Sequence, residues 1–160
     1  MHPLSVERDA DEHRLPVIDA RTLLEHVPPD ECWELLASAT VGRIGVVVDG
    51  APEVYPLNFV VDGRSVVFRT DPGNKLSSLR RNPLVCVEID GFDLEAHTGW
   101  SVLLKGRVSE VSDAVELREL AELPLRFWTE GQKSHWMRIE PTQVVTGRRS
   151  TSRGRTHRPE

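Results

Sequence analysis

A hydroxyl, a glycine-containing turn and a lysine follow one another in the segment Thr70-Asp71-Pro72-Gly73-Asn74-Lys75. The backbone N–H groups of such a turn can hold a phosphate, a threonine hydroxyl can donate to one of its oxygens, and a lysine adds a compact positive charge. The same residues also make an ordinary turn, because Asp, Pro, Gly and Asn are the residues that turns favour, and Lys75 would then begin a solvated helix. Taken alone, the segment leaves both interpretations open.

Two arginines and two histidines are further candidates for the site. Arg43 and Arg69 each interrupt an apolar strand-like run, so each faces solvent, forms an ion pair or anchors an anion. Arg69 directly precedes the turn and could help to hold a phosphate, whereas Arg43 is better placed for a salt bridge at a barrel end or a dimer contact. His97 and His135 are the histidines that could reach a cleft, but no spacing links them to Asp, Glu or Cys ligands, so no metal site is predicted.

No catalytic residue is assigned, because the chain has neither a Ser–His–Asp order nor a nucleotide-binding glycine loop. The 160 residues fit one domain, and the net charge of −5 argues against a general nucleic-acid binder. The absence of an 18-residue apolar run, of a signal peptide and of paired cysteines predicts a cytoplasmic protein without a membrane span.

The composition divides the chain into three parts. Residues 1–28 form a weakly ordered lead-in, residues 29–149 form the domain, and residues 150–160 form a basic tail that is predicted to be disordered. A weak nucleic-acid contact by this tail is the alternative to a purely solubilising role.

The elements that must position these residues are mostly strands. The Asp-Gly pairs at 49–50 and 62–63 separate β-branched runs and predict a meander of three antiparallel strands. With the later strands, the pattern predicts a closed or nearly closed antiparallel barrel of about six strands. The predicted strands cover 41–48, 54–61, 65–70, 84–90, 100–111 (with a bulge or close approach at Gly106) and 136–145 (broken by Pro141). The stretch 91–99 is predicted as a loop, and short helices follow Asp30 (as N-cap), Lys75 and Ser112-Asp113 (as cap).

At this point the chain resembles a known family, the pyridoxamine 5′-phosphate oxidase-like, FMN-binding split-barrel proteins, and in particular their small actinobacterial members. The resemblance covers roughly residues 30–149. It implies a mainly β protein with short helices, a split antiparallel β-barrel of about six strands, and a homodimer with the flavin in a cleft between two barrels. The matching segments are Glu31-Cys32-Trp33-Glu34-Leu35-Leu36, Val41-Gly42-Arg43-Ile44, Tyr55-Pro56-Leu57-Asn58-Phe59, Val67-Phe68-Arg69-Thr70 with Gly73-Asn74-Lys75, Gly99-Trp100-Ser101-Val102 with Gly106-Arg107, and Val145-Thr146-Gly147-Arg148-Arg149.

The resemblance also implies where a cofactor would bind. Thr70 and Lys75 match phosphate-contacting positions, which agrees with the interpretation of the turn from its residues. Arg69 is added for its position next to that turn. The remaining implied positions are Asn74 beside the phosphate, Asn58 and Phe59 on the strand along the flavin ring, and Ser101, flanked by Trp100, at the cofactor.

Two departures from the family pattern bear on the reaction. The pyridoxamine phosphate oxidases carry an Arg and, five residues later, a Lys where this chain has Val54 and Phe59, and their C-terminal substrate-binding segment has no counterpart. The vitamin B6 oxidase reaction is therefore not expected. Related haem-binding proteins often have His at the position of Thr70, so haem loses its obvious ligand.

The resulting prediction is an FMN-dependent oxidoreductase that passes a hydride or electrons between a reduced nicotinamide and a small acceptor. A reductase that uses the deazaflavin F420 is the alternative within the same class. A flavin- or haem-binding protein without turnover, or an empty barrel serving as an interaction module, is the alternative outside it.

Overall fold

The described part of the chain, residues 18–19, 24–127 and 133–150 of a computed structural model, contains ten strands joined in one antiparallel sheet and three short helices. The sheet order is β1-β2-β10-β8-β7-β3-β4, and β5, β6 and β9 branch from it. The strands are β1 (Ile18–Asp19), β2 (Leu24–Val27), β3 (Val41–Val48), β4 (Ala51–Asn58), β5 (Val60–Asp62), β6 (Ser65–Thr70), β7 (Leu84–Asp93), β8 (Thr98–Glu110), β9 (His135–Pro141) and β10 (Thr146–Ser150); the helices are α1 (Pro29–Ser38), α2 (Asn74–Arg81) and α3 (Ala114–Ala121).

The long strand β8 turns the sheet into a split barrel. Its first half pairs with β10, its second half pairs with β9, and β7 runs along its other edge. Because β9 in turn pairs with β6, the sheet curls around one apolar core, as the predicted split antiparallel barrel requires. The predicted close approach at Gly106 is confirmed, since a Cβ at Gly106 would lie 2.5 Å from the carbonyl oxygen of Glu140 on β9.

Both Asp-Gly hairpins are present, and one is shifted by a residue. Asp49 and Gly50 have φ of 49° and 81° and join β3 to β4, as a type I′ turn requires. In the second hairpin Asp62 pairs with Ser65, so Gly63-Arg64 forms the two-residue turn and only Gly63 has a positive φ.

Three predicted strand boundaries are wrong. The run 54–61 is divided into β4 and β5, because the Phe59 N–H leaves the hairpin ladder and donates to the Thr40 carbonyl at 3.3 Å. The stretch 91–99 is not a loop, since β7 and β8 pair from Leu84↔Arg107 to Asp93↔Thr98 and leave a turn at 94–97. The run 136–145 is broken at Pro141 as predicted, but residues 142–145 are not strand, and a separate strand, β10, begins at Thr146.

The sheet also extends beyond the predicted domain start. β2 pairs with β10 from Val27↔Gly147 to Leu24↔Ser150, so residues 24–27 belong to the sheet although they lie within the predicted lead-in. Ser150, placed in the basic tail, is the last residue of β10; residues 151–160 lie outside the described part of the chain. These short polar strands carry little apolar alternation, which explains why about six strands were predicted rather than ten.

The helices confirm one predicted cap and correct another. Asp113 caps α3, because its carboxylate accepts from the N–H groups of Val115 at 3.0 Å and Glu116 at 2.9 Å. Asp30 is not a cap: α1 begins at Pro29, and the Asp30 carboxylate instead accepts from Arg64 at 2.6 Å.

One arginine joins three elements near the β5–β6 hairpin. The Arg138 guanidinium on β9 donates to Glu116 of α3 at 2.9 Å, to Asp62 of β5 at 2.8 Å, and to the Ser65 hydroxyl. Its side chain is 16% exposed. Arg138 therefore fixes α3 and the hairpin to the same sheet.

None of the described helices is long and apolar enough to cross a membrane.

Candidate functional site

The turn between β6 and α2 presents several hydrogen-bond donors at one place. β6 ends at the buried Thr70, and α2 begins at Asn74 after Gly73, whose φ of 150° is a conformation that glycine favours. No described side chain caps α2, and its first backbone bond runs from the Ser77 N–H to the Gly73 carbonyl at 3.0 Å. The earlier N–H groups of the helix are thus available to an anion, which the positive end of the helix dipole also favours.

Lys75 lies half-buried at this helix start with its charge uncompensated. Its Nζ is 5.4 Å from the centre of the Tyr55 ring. Burial lowers the pKa of Lys75 below its usual value, and repulsion from Lys133 lowers it further. No described carboxylate forms an ion pair with Lys75. A bound anion would therefore offset the free-energy cost of holding this charge in a half-buried position.

Arg69, the second-to-last residue of β6, lies near two aromatic rings. Its Cζ is 5.2 Å from the Trp136 ring centre and 5.5 Å from that of Phe127. Its Nε is buried and has no hydrogen-bond partner among the described residues. Lys133 approaches the same Phe127 ring, with Nζ 5.4 Å from its centre. Arg69, Lys75 and Lys133 thus come from three chain segments and collect at one end of the barrel.

The sequence analysis missed Lys133, Phe127 and Trp136 at this site. No periodicity or spacing connects them to the turn, because β9 is brought beside β6 only by long-range pairing, in which Arg69 lies opposite Trp136. The only hint in the sequence is that basic and aromatic residues, Arg126-Phe127 and Lys133 with Trp136, stand on both sides of residues 128–132.

A histidine and a carboxylate lie next to the turn as well. His135 pairs directly with Thr70 across the β6–β9 ladder, and its Nδ1 is 2.5 Å from the Glu110 carboxylate. Glu110 also accepts from Arg80 of α2 at 2.6 Å. The hydrogen bond from Arg80, and then that from His135, lower the pKa of Glu110 below its usual value. Of the two histidines that could reach a cleft, His135 is therefore the one at the phosphate turn.

Trp100 and Ser101 lie at the opposite end of β8. Trp100 and Gly91 form a cross-strand pair, and a Cβ on Gly91 would be 2.7 Å from the Trp100 indole, so glycine lets the ring lie across β7. Trp100 lines a cleft of 580 Å³ together with Phe92 and Arg149. Ser101 is nine residues before Glu110 on one strand, a length along the strand of at most about 30 Å. It therefore lies at the end of β8 away from Glu110, which contacts His135 opposite Thr70.

The remaining predicted residues take different positions. The Asn58 Oδ1 is buried without a hydrogen-bond partner among the described residues. The Phe59 side chain is 2% exposed and packs in the core against Gly42. Asn74 is exposed at the start of α2. Arg43 donates to Glu88 at 3.1 Å and Asp90 at 3.3 Å, so it forms the expected ion pair, here within one chain.

The structure therefore brings together the predicted phosphate residues and separates them from the predicted ring residues on β8. Thr70, Asn74 and Lys75 lie at the turn between β6 and α2, whereas the Arg69 side chain lies at the Phe127 ring, which Lys133 also approaches. The described residues contain no group of three or more His, Cys, Asp or Glu side chains that could hold a metal ion. A buried unpaired guanidinium nitrogen and a desolvated lysine beside uncapped helix N–H groups fit the phosphate of a flavin nucleotide.

Comparison with known proteins agrees with this assignment of the fold. The family model described as pyridoxamine 5′-phosphate oxidase matches residues 28–149. An uncharacterized protein of Mycobacterium tuberculosis, Rv0080, is 36% identical over an alignment of 143 positions, and the match covers 86% of this chain and 91% of that protein.

Two solved structures are similar as well. The FAD binding protein from Mycobacterium smegmatis is 41% identical with a TM-score of 0.67, and the match covers 78% of this chain and 97% of that one. A Corynebacterium glutamicum protein provisionally described as a pyridoxamine 5′-phosphate oxidase is 30% identical with a TM-score of 0.71 over 80% of this chain and 93% of that one. The chain, a split barrel, belongs to the pyridoxamine 5′-phosphate oxidase family.

Proposed function

We propose that the protein binds a phosphorylated flavin and acts as an oxidoreductase between a reduced nicotinamide and a small acceptor. The observation that carries the proposal is Lys75, a half-buried cation whose pKa is lowered by burial and by Lys133 and which lies at an uncapped helix start. Such a charge costs stability in the empty protein, and a bound phosphate is the group that would compensate it. Family membership and the FAD-binding relative from Mycobacterium smegmatis support the choice of a flavin.

In this proposal each residue has a physical task toward the phosphate. Lys75 supplies a positive charge, and the Thr70 hydroxyl and the first α2 N–H groups donate hydrogen bonds. Arg69 adds positive potential from its position at the Trp136 and Phe127 rings. Asn58 offers its buried, unpartnered amide oxygen to a donor. The flavin, when bound, would supply the hydride and electron chemistry, while the protein binds it and sets its surroundings.

The proposed cofactor is FMN, because the phosphate turn accounts for one phosphate group. The relative that binds FAD makes a dinucleotide flavin the closest alternative, and F420 would need a further set of cations for its acidic tail. Binding constants for FMN, FAD and F420 measured side by side would rank the three.

We further propose that the active form is a homodimer, with the two ends of the site supplied by different copies. Within one chain Ser101 and the Thr70 end lie at opposite ends of β8, at most about 30 Å apart along the strand, which favours a second copy as the source of one of the two groups. Exposed apolar residues are available for the contact: Val54 is 65% and Leu84 54% exposed, and both line an apolar groove of 460 Å³.

The vitamin B6 oxidase reaction is not part of the proposal. At the two positions where the resemblance places Arg and Lys in those oxidases, Val54 is exposed and Phe59 is buried in the core. Neither side chain can bind the phosphate of pyridoxamine phosphate.

The test is reduction of the reconstituted protein by NADH, NADPH or reduced F420 under anaerobic conditions, followed by the flavin absorbance. Bleaching by one donor at a rate above that of free flavin is the expected result. A bound flavin that none of the donors reduces would contradict the oxidoreductase proposal and leave a binding protein.

A second candidate, haem binding, has one observation in its favour. His135 lies opposite Thr70, the position where related haem-binding proteins often have His, and Glu110 at 2.5 Å from Nδ1 leaves Nε2 as the atom that could ligate iron. A Soret shift on haem titration that His135→Gln abolishes would support this candidate, and an unshifted Soret band would remove it.

A further inference from the structure

The aromatic ring beside the Lys75 ammonium belongs to Tyr55, and this ring is held in place on three sides. On β4, Tyr55 lies directly opposite Ile44 of β3, whose side chain is fully buried, so the ring points to the interior face of the sheet. There it packs against the apolar core. Its hydroxyl donates a hydrogen bond to the Glu53 carboxylate on the same strand. The ring is therefore a fixed surface beside the start of α2.

The Lys75 ammonium has no comparable support of its own. It ends a flexible four-carbon side chain, and none of the ion pairs among the described residues includes it. Its Nζ lies instead 5.4 Å from the centre of the Tyr55 ring, a distance at which the face of an aromatic ring attracts a cation. Tyr55 therefore restricts the positions that the ammonium can take.

An aromatic ring differs from a carboxylate as the partner of a lysine that binds an anion. A carboxylate would neutralise the ammonium and compete with a phosphate for its N–H donors. The ring attracts the cation through its quadrupole and carries no net charge of its own. Beside Tyr55, the Lys75 ammonium thus keeps its positive charge and its hydrogen-bond donors for a phosphate.

We propose that Tyr55 positions the Lys75 ammonium at the phosphate turn and thereby determines how strongly the site prefers a phosphorylated ligand to the same ligand without its phosphate. This inference rests on the proposed function, because it concerns the phosphate that Lys75 would hold. Tyr55 acts through Lys75: it restricts the ammonium before the ligand arrives, which reduces the conformational entropy that is lost on binding. Glu53 supports Tyr55 in turn through the hydrogen bond from the phenol.

The test compares the Kd values of FMN and riboflavin, which differ by the phosphate, in variants of the full chain. Tyr55→Leu keeps apolar bulk for the core and removes the ring, so it should raise the Kd for FMN about three- to tenfold and leave that for riboflavin within about twofold. Tyr55→Phe keeps the ring and should bind both ligands within about twofold of the wild type. In a Lys75→Met background, Tyr55→Leu should have no further effect on FMN, because the ammonium that it positions is absent.

Trp33→Leu is the matched control, because it removes a different ring that a cation contacts. The Arg64 guanidinium lies 5.6 Å from the centre of the Trp33 ring, on α1. This variant should leave the ratio of the two Kd values unchanged. An equal change for FMN and riboflavin in Tyr55→Leu, an equal loss in Tyr55→Phe, or the same loss with and without Lys75 would each overturn the positioning role.

The position of the ammonium can also be measured without a flavin. The chain has three lysines, so isotopically labelled methyl groups on their amines give few NMR signals, and Lys75→Met identifies the signal of Lys75. The ring current should displace this signal in the wild type and in Tyr55→Phe, and the displacement should be lost in Tyr55→Leu. A Lys75 signal at the same place in all three proteins would overturn the contact on which the proposal depends.

Inorganic phosphate, titrated against the same NMR signal, separates this inference from the proposed function. Phosphate that binds at Lys75 more tightly in the wild type than in Tyr55→Leu, in a protein that binds neither FMN nor riboflavin, would support the positioning role and refute the flavin. Flavin binding with the same preference for FMN over riboflavin in the wild type and in Tyr55→Leu would leave the flavin proposal standing and overturn the positioning role. A protein that binds neither phosphate nor flavin would refute both.

Discussion

Replacing Lys75 by Met should have opposite effects on ligand binding and on the stability of the empty protein. Met keeps the length and the apolar stem of the side chain, which packs near the Tyr55 ring, and removes the charge. If Lys75 holds a phosphate, the variant loses one charge-assisted contact worth about 1.5–3 kcal/mol. That loss corresponds to a rise in the Kd for FMN of about 10- to 150-fold.

The stability effect has the other sign. Burial, and then Lys133, lower the pKa of Lys75, so its charged form is less favourable in the folded chain than in the unfolded one. Below its folded pKa the lysine is charged in both states and the protein carries this cost, which is relieved as the pH rises through that pKa toward the unfolded value. Lys75→Met should therefore raise the free energy of unfolding of the ligand-free protein at pH 7, and the gain should shrink as the solution becomes strongly alkaline.

The assay is a fluorescence titration with FMN and with riboflavin, accompanied by urea unfolding of the ligand-free protein. Riboflavin lacks the phosphate, so its affinity should change little in the variant. Arg118→Met removes an exposed positive charge from α3 and is the control for net charge. An unchanged Kd for FMN, or an equal loss for riboflavin, would refute the phosphate role, and a decrease in unfolding free energy would refute the desolvation argument.

Three further predictions concern the framework that positions the site. Glu110→Gln should cost about 0.5–1 kcal/mol of unfolding free energy at pH 7, because the carboxylate is only partly buried. The pKa of Glu110 is lowered in the folded state, so its stabilising contribution is present above about pH 4 and is lost at lower pH. The difference in unfolding free energy between the variant and the wild type should therefore shrink when urea unfolding is measured at lower pH. A difference that stays constant with pH would contradict this role of Glu110. Arg138→Met should lower the unfolding free energy by about 2–3 kcal/mol, since three hydrogen bonds to α3 and the β5–β6 hairpin are lost, and a change below 1 kcal/mol in chemical denaturation would be too small for that role. Gly106→Ala should destabilise by about 1–3 kcal/mol, because its Cβ would meet the Glu140 backbone oxygen at 2.5 Å, whereas Gly45→Ala meets the movable Cys86 sulfur and should cost less; thermal unfolding of the two variants compares them.

Local signals were sufficient for the parts of the fold that depend on local chemistry. Positive φ angles are required in the Asp49-Gly50 turn, and Asp and Gly tolerate them. The Asp113 carboxylate can accept from two N–H groups at a helix start, which makes it a cap. Gly106 has no Cβ, so another strand can approach it closely. In the same way, Thr70 and Lys75 were predicted to lie at one turn because only four residues separate them in the sequence.

Features that depend on long-range pairing were not predictable. β2 and β10 are short and polar, and only their pairing with each other and with β8 makes them strands. Phe127 and Lys133 reach Arg69 because β9 pairs with β6, a contact that no spacing in the sequence encodes. The Phe59 side chain, implied by the resemblance to border a ring, is in the core because the chain leaves the β4 ladder at that residue.

The most direct test of the central claim is whether the purified protein keeps a flavin. The protein is incubated with excess FMN or FAD, passed through a desalting column, and examined by absorbance for flavin in the protein fraction. We expect the wild type and Arg118→Met to retain flavin and Lys75→Met to lose it. Wild-type protein that leaves the column folded and colourless after both incubations would refute flavin binding.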